Sequence, residues 1–371
     1  MVRARRTCLG CHLVNFNFNA CKMFFRARRR SMVKLDPALL KLFPPSSGTC
    51  PPGAAFVSLV ANVSYVPGAL CLRSRMTSVG TACPLVLVVA DPLPRHAMVE
   101  LEEAYGPGRI RRLSDLQERL RRHSAARQNH SAAASDAAPN PLGRRLAKGF
   151  AREPATKPLS SSRQLVRSTG WARRTHQKLL LWALDGYTTA AFIDIDTLVR
   201  SNIDALLSRS HRPFSAVSAL PYSLGMFNSG VFVYEPSLEV AAALDDVSRR
   251  AVFRLPKRSS EAEPAGGWLK VRPAGERFEL SDQSVLNHYF RRTWRPLPYG
   301  YNAGVKMLSA APKMWASLEV AVVHYVHRPK PWEAELSDSG SPISTLARRM
   351  RTHEVMHEWR RLCPRGSRNR A

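Results

Sequence analysis

Short apolar runs rich in β-branched residues recur along the chain, with turns and helix-like stretches between them. The first run, Ala55–Val60, is followed by turn-forming residues and by a stretch with helical character, Ala69–Met76. A second run, Pro84–Ala90, is closed by an Asp-Pro turn. This order of strand, turn, helix and strand is typical of an open, mostly parallel sheet. Because ligands bind such sheets beyond the carboxyl ends of the strands, a functional site is expected there.

The same alternation continues through the second half of the chain and predicts one α/β domain. Ser281 is expected to cap the helix that it precedes. The further expected elements are helices at His96–Tyr105, Lys178–Leu184, Ser237–Val247 and Asp282–Phe290, and strands at Arg109–Leu113, Ala190–Asp196, Met226–Tyr234 and Ala321–Tyr325.

The segments outside this pattern divide the chain into one domain and its appendages. Residues 1–52 end in a Pro-rich stretch and are interpreted as a disordered basic tail and linker. The domain covers residues 53–335, with a loop at 254–279. Residues 107–170 form a basic insertion that is expected to be mostly disordered or loosely helical. Residues 336–371 form a basic tail with little to fold around.

The charge is strongly positive, with a formal net value of +28, which favours nucleic acid or an anionic membrane as a partner. Nine Lys or Arg lie in the first 34 residues, and sixteen lie in residues 107–174. These stretches look peripheral, and they lack interleaved aromatic residues and any recognisable binding module. A specific nucleic-acid partner is therefore not expected. No run approaches the ~18–20 apolar residues of a membrane span, so the cytoplasm and the Golgi stay open as compartments.

The seven cysteines are scattered and odd in number, so a complete disulfide framework is not indicated. Cys8 and Cys11 form a CxxC pair, but a zinc site needs a second pair of ligands at suitable spacing. Zinc binding at this pair is therefore disfavoured.

Two carboxylates, Asp194 and Asp196, flank one residue at the end of an apolar strand. In a strand this spacing puts both side chains on one face, where two like charges are costly unless a cation pairs with them. Oxygen ligands suit Mn²⁺ or Mg²⁺. Alternatives are a turn cap formed by Asp196 with a buried Asp194, or a phosphatase nucleophile. Such phosphatases place Thr or Val four residues after the nucleophile, where this chain has Leu198.

The surroundings of this DxD motif resemble the glycogenin-like glycosyltransferases, family eight of the sugar transferases. The resemblance implies a single α/β domain of the nucleotide-diphospho-sugar transferase (GT-A) type with a mostly parallel sheet. The matching segments run in order along the chain: Phe56–Asn62 with Tyr65 and Gly68–Leu70, Lys178–Leu179 with Trp182, Phe192–Leu198 with Asn202–Asp204, Phe227–Tyr234 with Pro236–Ser237, Asp282–Gln283 with Leu286–Asn287, Tyr301–Asn302, and Val323–Tyr325 with Lys330–Trp332.

The resemblance also implies roles for single residues. The metal ligands would be Asp194, Asp196 and His324, with Mn²⁺ as the cofactor and Mg²⁺ as the alternative. The residues near the reaction would be Asp282, Gln283 and Lys330. The donor-binding residues would be Leu59, Ala61, Asn62 and Tyr65 at the uracil and ribose, Lys178 and His327 at the diphosphate side, and Asn228, Ser229 and Gly230 at the sugar, together with Ile195.

One position departs from the family, because His327 stands where a glycine is usual. The family's donor-site arginine has three candidates, Arg167, Arg173 and Arg174. The implied activity is a retaining, Mn²⁺-dependent transfer of a hexosyl unit from UDP-glucose, UDP-galactose or UDP-glucuronic acid. The acceptor would be a hydroxyl of a glycan, inositol, lipid or protein, and self-association is left open. The rivals are a catalytically impaired homologue that binds a UDP-sugar and a basic protein that binds nucleic acid or anionic membrane.

Overall fold

The computed structural model describes residues 35–45, 48–90, 92–135, 176–207, 213–221, 223–250, 281–333 and 352–363. The CxxC pair, the 254–279 loop and residues 136–170 of the basic insertion lie outside these described residues, as do the three candidate arginines. The described residues from Ala38 onward belong to one compact unit.

Two sheets lie within the described residues. The strands are β1 (Ala54–Val60), β2 (Leu85–Val89), β3 (Ile110–Arg112), β4 (Thr189–Ile193), β5 (Thr197–Val199), β6 (Phe214–Ser218), β7 (Phe227–Tyr234), β8 (Arg295–Leu297), β9 (Ala303–Gly304) and β10 (Val322–His324). The larger sheet has the order β3-β2-β1-β4-β7-β6-β8, and the smaller has the order β5-β10-β9. In the larger sheet only β7 runs against its neighbours. The predicted α/β fold with a mostly parallel sheet is therefore confirmed.

Eight α-helices pack around the two sheets within the described residues. They are α1 (Val66–Ser78), α2 (Arg95–Tyr105), α3 (Leu113–Ser135), α4 (Leu238–Arg250), α5 (Asp282–Tyr289), α6 (Lys306–Ala310), α7 (Pro312–Ala316) and α8 (Thr352–Leu362), with a 3₁₀ helix at Gln177–Ala183. The hydroxyl of Ser281 accepts a hydrogen bond from the Ser284 N–H, so the predicted cap of α5 is confirmed. Within the described residues, no helix has both the length and the apolar character that crossing a membrane requires.

The core beneath the sheet is built around Trp182. Its ring is stacked on Phe232, with 5.5 Å between centroids, and on Phe290, at 5.7 Å. The side chain is 1% exposed. Aromatic rings in such offset arrangements contribute more than their buried area alone. The Trp182 ring therefore packs the 3₁₀ helix against β7 and against the end of α5.

We expect Trp182→Ala to lower the free energy of unfolding by about 3–5 kcal/mol, because it leaves a large cavity among rings that cannot close over it. Urea unfolding followed by circular dichroism measures this loss. Trp182→Phe is the matched control and should cost less than half as much, since it keeps one stacked ring. Equal losses for the two variants would show that ring stacking is not what stabilises this region.

The basic insertion begins with a helix that the sequence analysis missed. Residues 113–135 form α3, and Leu113, Leu116 and Leu120 on one of its faces are buried in the core. The expectation of a mostly disordered or loosely helical segment is therefore wrong for residues 113–135. Three leucines spaced by three and four residues suffice to dock a helix whose other positions are charged.

Both predicted tails also contain ordered structure. Leu42 N–H donates to Glu319 Oε2 at 3.0 Å, so the disordered linker predicted for residues 1–52 is wrong at this point. Helix α8 lies in the segment that was expected to have nothing to fold around, and Val355 and Trp359 are buried in a second apolar cluster. That expectation is also wrong, because Val355, Met356, Trp359 and Leu362 of α8 all pack in this cluster.

Two disulfides occur among the described residues. Cys50 is joined to Cys83, and Cys71 on α1 is joined to Cys363 at the end of α8. Two cysteine pairs therefore form although the cysteine count is odd, and their partners lie 33 and 292 positions apart. Sequence spacing alone does not reveal such pairing.

Candidate functional site

A cleft of about 680 Å³ opens at the carboxyl ends of β1 and β4. The strand order reverses between these two strands, since β2 follows β1 on one side and β4 lies on the other. In open α/β sheets this switch point is where ligands bind. The cleft also has the size that is usual for a small-molecule site.

Asp194 and Asp196 reach the cleft from a turn rather than from a strand. Strand β4 ends at Ile193, and β5 begins at Thr197. The prediction that both aspartates lie at the end of a strand, with their side chains on one face of it, is therefore wrong. The turn is held by the Asp194 N–H, which donates to the Gly230 carbonyl at 2.7 Å, and by the Thr197 hydroxyl, which donates to the Asp194 carbonyl at 2.8 Å.

Pairing of β5 with β10 brings His324 to the two carboxylates. In this antiparallel pair His324 lies opposite Thr197. His324 Nε2 then lies 3.2 Å from Asp196 Oδ1 and 3.8 Å from Asp194 Oδ2. The pairing of these two strands thus brings His324 next to carboxylates that lie more than a hundred positions earlier in the sequence.

A row of hydrogen bonds fixes the orientation of the His324 ring. The Gly230 N–H donates to Asn228 Oδ1 at 2.9 Å, and Asn302 Nδ2 donates to the same oxygen at 2.9 Å. The Asn302 amide therefore presents its oxygen to His324 Nδ1, at 2.8 Å. Because a carbonyl oxygen only accepts, Nδ1 is the donor in this contact, and Nε2 is the ring atom that faces the carboxylates.

Gly230 is required by close packing against that ring. A Cβ atom at this position would lie 2.2 Å from His324 Cε1 and 2.4 Å from Nδ1. Real Cβ atoms do not approach other atoms so closely. The absence of a side chain at residue 230 therefore allows β7 and the end of β10 to come together.

Two buried lysines compensate the carboxylates from opposite sides. Lys178 Nζ lies 3.1 Å from Asp194 Oδ2 and 3.2 Å from Asp282 Oδ2. Lys330 Nζ is hydrogen-bonded to Asp196 and donates to the Tyr325 carbonyl at 2.7 Å. Each buried ammonium group is therefore paired with at least one carboxylate.

The pKa values of these groups follow from burial and from the nearby charges. Burial alone would lower the pKa of Lys178, but Asp194 and Asp282 raise it above its ordinary value. Burial raises the pKa of Asp194, an effect that Lys178 opposes. Burial acts in the same direction on Asp196, but His324 and Lys330 outweigh it and hold the pKa of Asp196 below its usual range.

The three side chains fit a divalent cation. One ligand atom from each of Asp194, Asp196 and His324 lies within 4.8 Å of the others. Neighbouring ligands of an octahedral ion at ~2.1 Å are about 3.0 Å apart, and the distance of 3.2 Å from His324 Nε2 to Asp196 Oδ1 is close to this value. Three carboxylates, including Asp282, face two lysine ammonium groups, so the ionised set retains one net negative charge. The arrangement favours a cation over an anion at this point.

The structure brings the predicted site residues together. Gly230 lies behind His324, and all the other predicted site residues line the cleft: Leu59, Ala61, Asn62, Tyr65, Lys178, Asp194, Ile195, Asp196, Asn228, Ser229, Asp282, Gln283, His324, His327 and Lys330. Asn228 Nδ2 donates to Gln283 Oε1 at 3.0 Å, and the Ser229 hydroxyl donates to Asp282 Oδ2 at 2.7 Å. Polar groups of β7 and α5 thus form one wall of the cleft.

His327 projects from the loop at the cleft mouth. Partial burial, together with Lys306 and Lys330 nearby, lowers the pKa of His327 to about 4. The ring is therefore neutral at neutral pH. Space for a side chain at this position exists because the loop 326–329 is exposed.

Other residues of the site were not predicted. Asn302 orients His324, and Trp332 contacts Tyr65 edge to face with 5.8 Å between ring centroids. Ser281, Val326 and Arg328 also line the cleft. Asn302 and Trp332 belong to segments of the family resemblance, but their part in the site depends on contacts that sequence order does not show.

Comparison with known proteins shows a similarity to sugar transferases. The profile described as glycosyl transferase family 8 matches residues 257–335. Glycogenin-1 of Mus musculus is 34% identical over 166 residues, which cover 43% of this chain and 41% of that protein. Galactinol synthase 1 of Solanum lycopersicum is 26% identical over 202 residues, which cover 49% of this chain and 55% of that protein.

The chain is thus similar to members of glycosyl transferase family 8. It spans 32–41% of the length of the glycogenins that it matches. Among solved structures, the galactosyltransferase LgtC in complex with donor and acceptor sugar analogs is 15% identical, with a TM-score of 0.43. That alignment covers 83% of this chain and 99% of LgtC.

Proposed function

We propose that this protein is a retaining glycosyltransferase of family 8 that moves a hexosyl unit from a UDP-sugar to a hydroxyl acceptor, with Mn²⁺ as its cofactor. The observation that carries the proposal is the convergence of Asp194, Asp196 and His324 at the switch point of the sheet. The UDP-sugars considered are those of glucose, galactose and glucuronic acid. Glycogenin and galactinol synthase, to which the chain is similar, support this reaction class.

The cleft is suited to an extended anionic donor. Asn62 and Tyr65 lie at the end of β1, where an amide and an aromatic ring can bind a nucleobase by its polar edge and its face. Asp282 and Gln283 lie on the opposite wall, where carboxylate and amide groups match sugar hydroxyls. The carboxylates, His324 and Lys330 lie between these two regions. This order matches the order of base, diphosphate and sugar in a donor of this class.

The chain's own residues then account for most of the chemistry. A divalent ion bound by Asp194, Asp196 and His324 would stabilise negative charge on the departing UDP. Lys330 would leave Asp196 and donate to the same phosphate oxygens. The bond from the anomeric carbon to the phosphate oxygen breaks as the acceptor oxygen bonds to that carbon from the same face. The acceptor proton passes to the released phosphate, while Asp282 and Gln283 orient the sugar.

The two disulfides favour the Golgi over the cytoplasm as the working compartment. Disulfides persist in oxidising compartments and are rare where thiols are kept reduced. An acceptor exposed in that compartment, such as a glycan or a lipid-linked sugar, is favoured for the same reason. Mass spectrometry of the alkylated, unreduced protein from cells should find Cys50 and Cys71 linked rather than alkylated.

Release of UDP from a panel of UDP-sugars, with Mn²⁺ and with a chelator, tests the proposed reaction. We expect one hexosyl donor to be hydrolysed slowly and only with the metal present. Calorimetry with UDP and Mn²⁺ separates the remaining outcomes. Binding of UDP without turnover of any donor would identify an impaired homologue. Absence of UDP binding would overturn the assignment.

A further inference from the structure

Helix α8 is fixed to the domain at several points. Cys363 at its carboxyl end is bonded to Cys71 on α1. The Tyr325 hydroxyl donates to the Val355 carbonyl at 2.7 Å, and Glu358 forms an ion pair with Arg200. Val355, Trp359 and Cys363 are each about 5–6% exposed. The helix therefore packs as part of the fold.

Helix α8 packs on the loop that carries Lys330. The Trp359 ring lies on Trp332, with 5.6 Å between centroids. On its other sides Trp332 contacts Tyr65 and donates from Nε1 to the Ser64 carbonyl at 2.8 Å. A Cβ at Gly68 on α1 would lie 2.8 Å from Trp332 Cη2, so the ring is also tightly packed against α1. Trp332 is thus enclosed between α1 and α8.

The disulfide lies next to this contact. Gly68 and Cys71 are three residues apart on α1 and therefore share one face of that helix. The bond from Cys71 to Cys363 holds α8 over the same face that receives Trp332. The loop itself is stiffened by Glu333, which accepts from the Lys330 N–H at 2.9 Å and pairs with Arg328.

We propose that α8, held by the Cys71–Cys363 disulfide, is a positioning element for donor binding, with Trp359 as the positioning residue. It acts through Trp332 on two parts of the cleft. One is Tyr65, which contacts Trp332 directly, and the other is Lys330, two residues before Trp332 in the same loop. The effect on donor affinity rests on the proposed function, whereas the effect on the loop does not.

The experiment compares Cys363→Ser with Cys83→Ser in the full chain. Each variant removes one disulfide, but Cys83 pairs with Cys50, away from the Lys330 loop. Hydrogen exchange of the backbone amides in residues 326–333 is measured without ligand. We expect Cys363→Ser, but not Cys83→Ser, to raise this exchange by about tenfold or more, since the loop loses its support. Circular dichroism verifies that both variants are folded.

A second measurement tests the link to the donor. Calorimetry with UDP and Mn²⁺ should give a Kd about tenfold higher for Cys363→Ser and for Trp359→Ala, and an unchanged Kd for Cys83→Ser. If the unmodified protein binds no UDP, the proposed function fails, while the exchange data still decide the role of α8. Unchanged exchange in residues 326–333 of Cys363→Ser overturns the proposal, whether or not α8 itself has loosened.

Discussion

Asp196→Asn should abolish metal-dependent turnover, with a fall of about 10²–10³-fold or more in kcat. The side chain of Asp196 contacts both His324 Nε2, at 3.2 Å, and the ammonium group of Lys330. The amide has nearly the same shape but no charge, so it is a poor ligand for a hard divalent cation. The same change removes the counterion that holds Lys330 in the metal-free site. UDP release with and without Mn²⁺ measures the loss.

The matched control for this prediction is Asp185→Asn. Asp185 is exposed in the turn before β4, so its amide variant makes the same chemical change away from the cleft. It should keep full turnover and the same Kd for UDP. Calorimetry of Asp196→Asn should also show weaker binding of Mn²⁺ with UDP. Full metal-dependent turnover in Asp196→Asn would contradict the assignment of this residue as a metal ligand.

Gly230→Ala should disable the site almost as completely, although residue 230 carries no functional group. The added methyl would lie 2.2 Å from His324 Cε1, and His324 is 4% exposed with its Nδ1 bonded to Asn302. The ring therefore has to leave its position, or β7 has to move away from the end of β10. Overpacking of this kind costs about 1–3 kcal/mol of stability. We expect at least a hundredfold loss of turnover, since a 1 Å misplacement can have that effect.

Gly304→Ala distinguishes a local clash from a general effect of adding a methyl. Gly304 pairs with His324 across β9 and β10, yet a Cβ there meets no atom within 4 Å. This variant should bind Mn²⁺ with UDP normally and unfold at nearly the same temperature. Electron paramagnetic resonance of free Mn²⁺ measures affinity independently of turnover. Normal Mn²⁺ affinity in Gly230→Ala would show that His324 is not a ligand or that the ring is not held as described.

The parts of the fold that the sequence predicted are those with uninterrupted local patterns. Strands β1 and β2 are buried along their whole length, so their apolar runs are continuous and easily recognised. The cap at Ser281 is a local interaction between neighbours. The short strand β8 has Pro296 at its centre and lies at a sheet edge, and its strand character comes from pairing with β6. No local pattern indicates such a strand.

The site shows the same division. Ordered resemblance to a family identified Asp194, Asp196 and His324, but the sequence alone placed both carboxylates on a strand that in fact ends before them. Asn302 orients His324 only because Asn228 and Gly230, which lie in β7, orient the Asn302 amide. Helices α3 and α8 were not predicted as packed helices because each has only a few apolar residues among many polar and charged ones. Such helices form when a core is present to receive them.

The Cys71–Cys363 bond closes a covalent ring around nearly the whole domain, since its two ends are 292 positions apart. A protease that cuts the chain once inside this ring cannot separate the two pieces. The fragment that carries Asp194 and Asp196 stays attached to the fragment that carries His324 when the cut falls between them. A nicked molecule would thus run as one band on a gel without reductant and as two bands with it, and it could retain an assembled site.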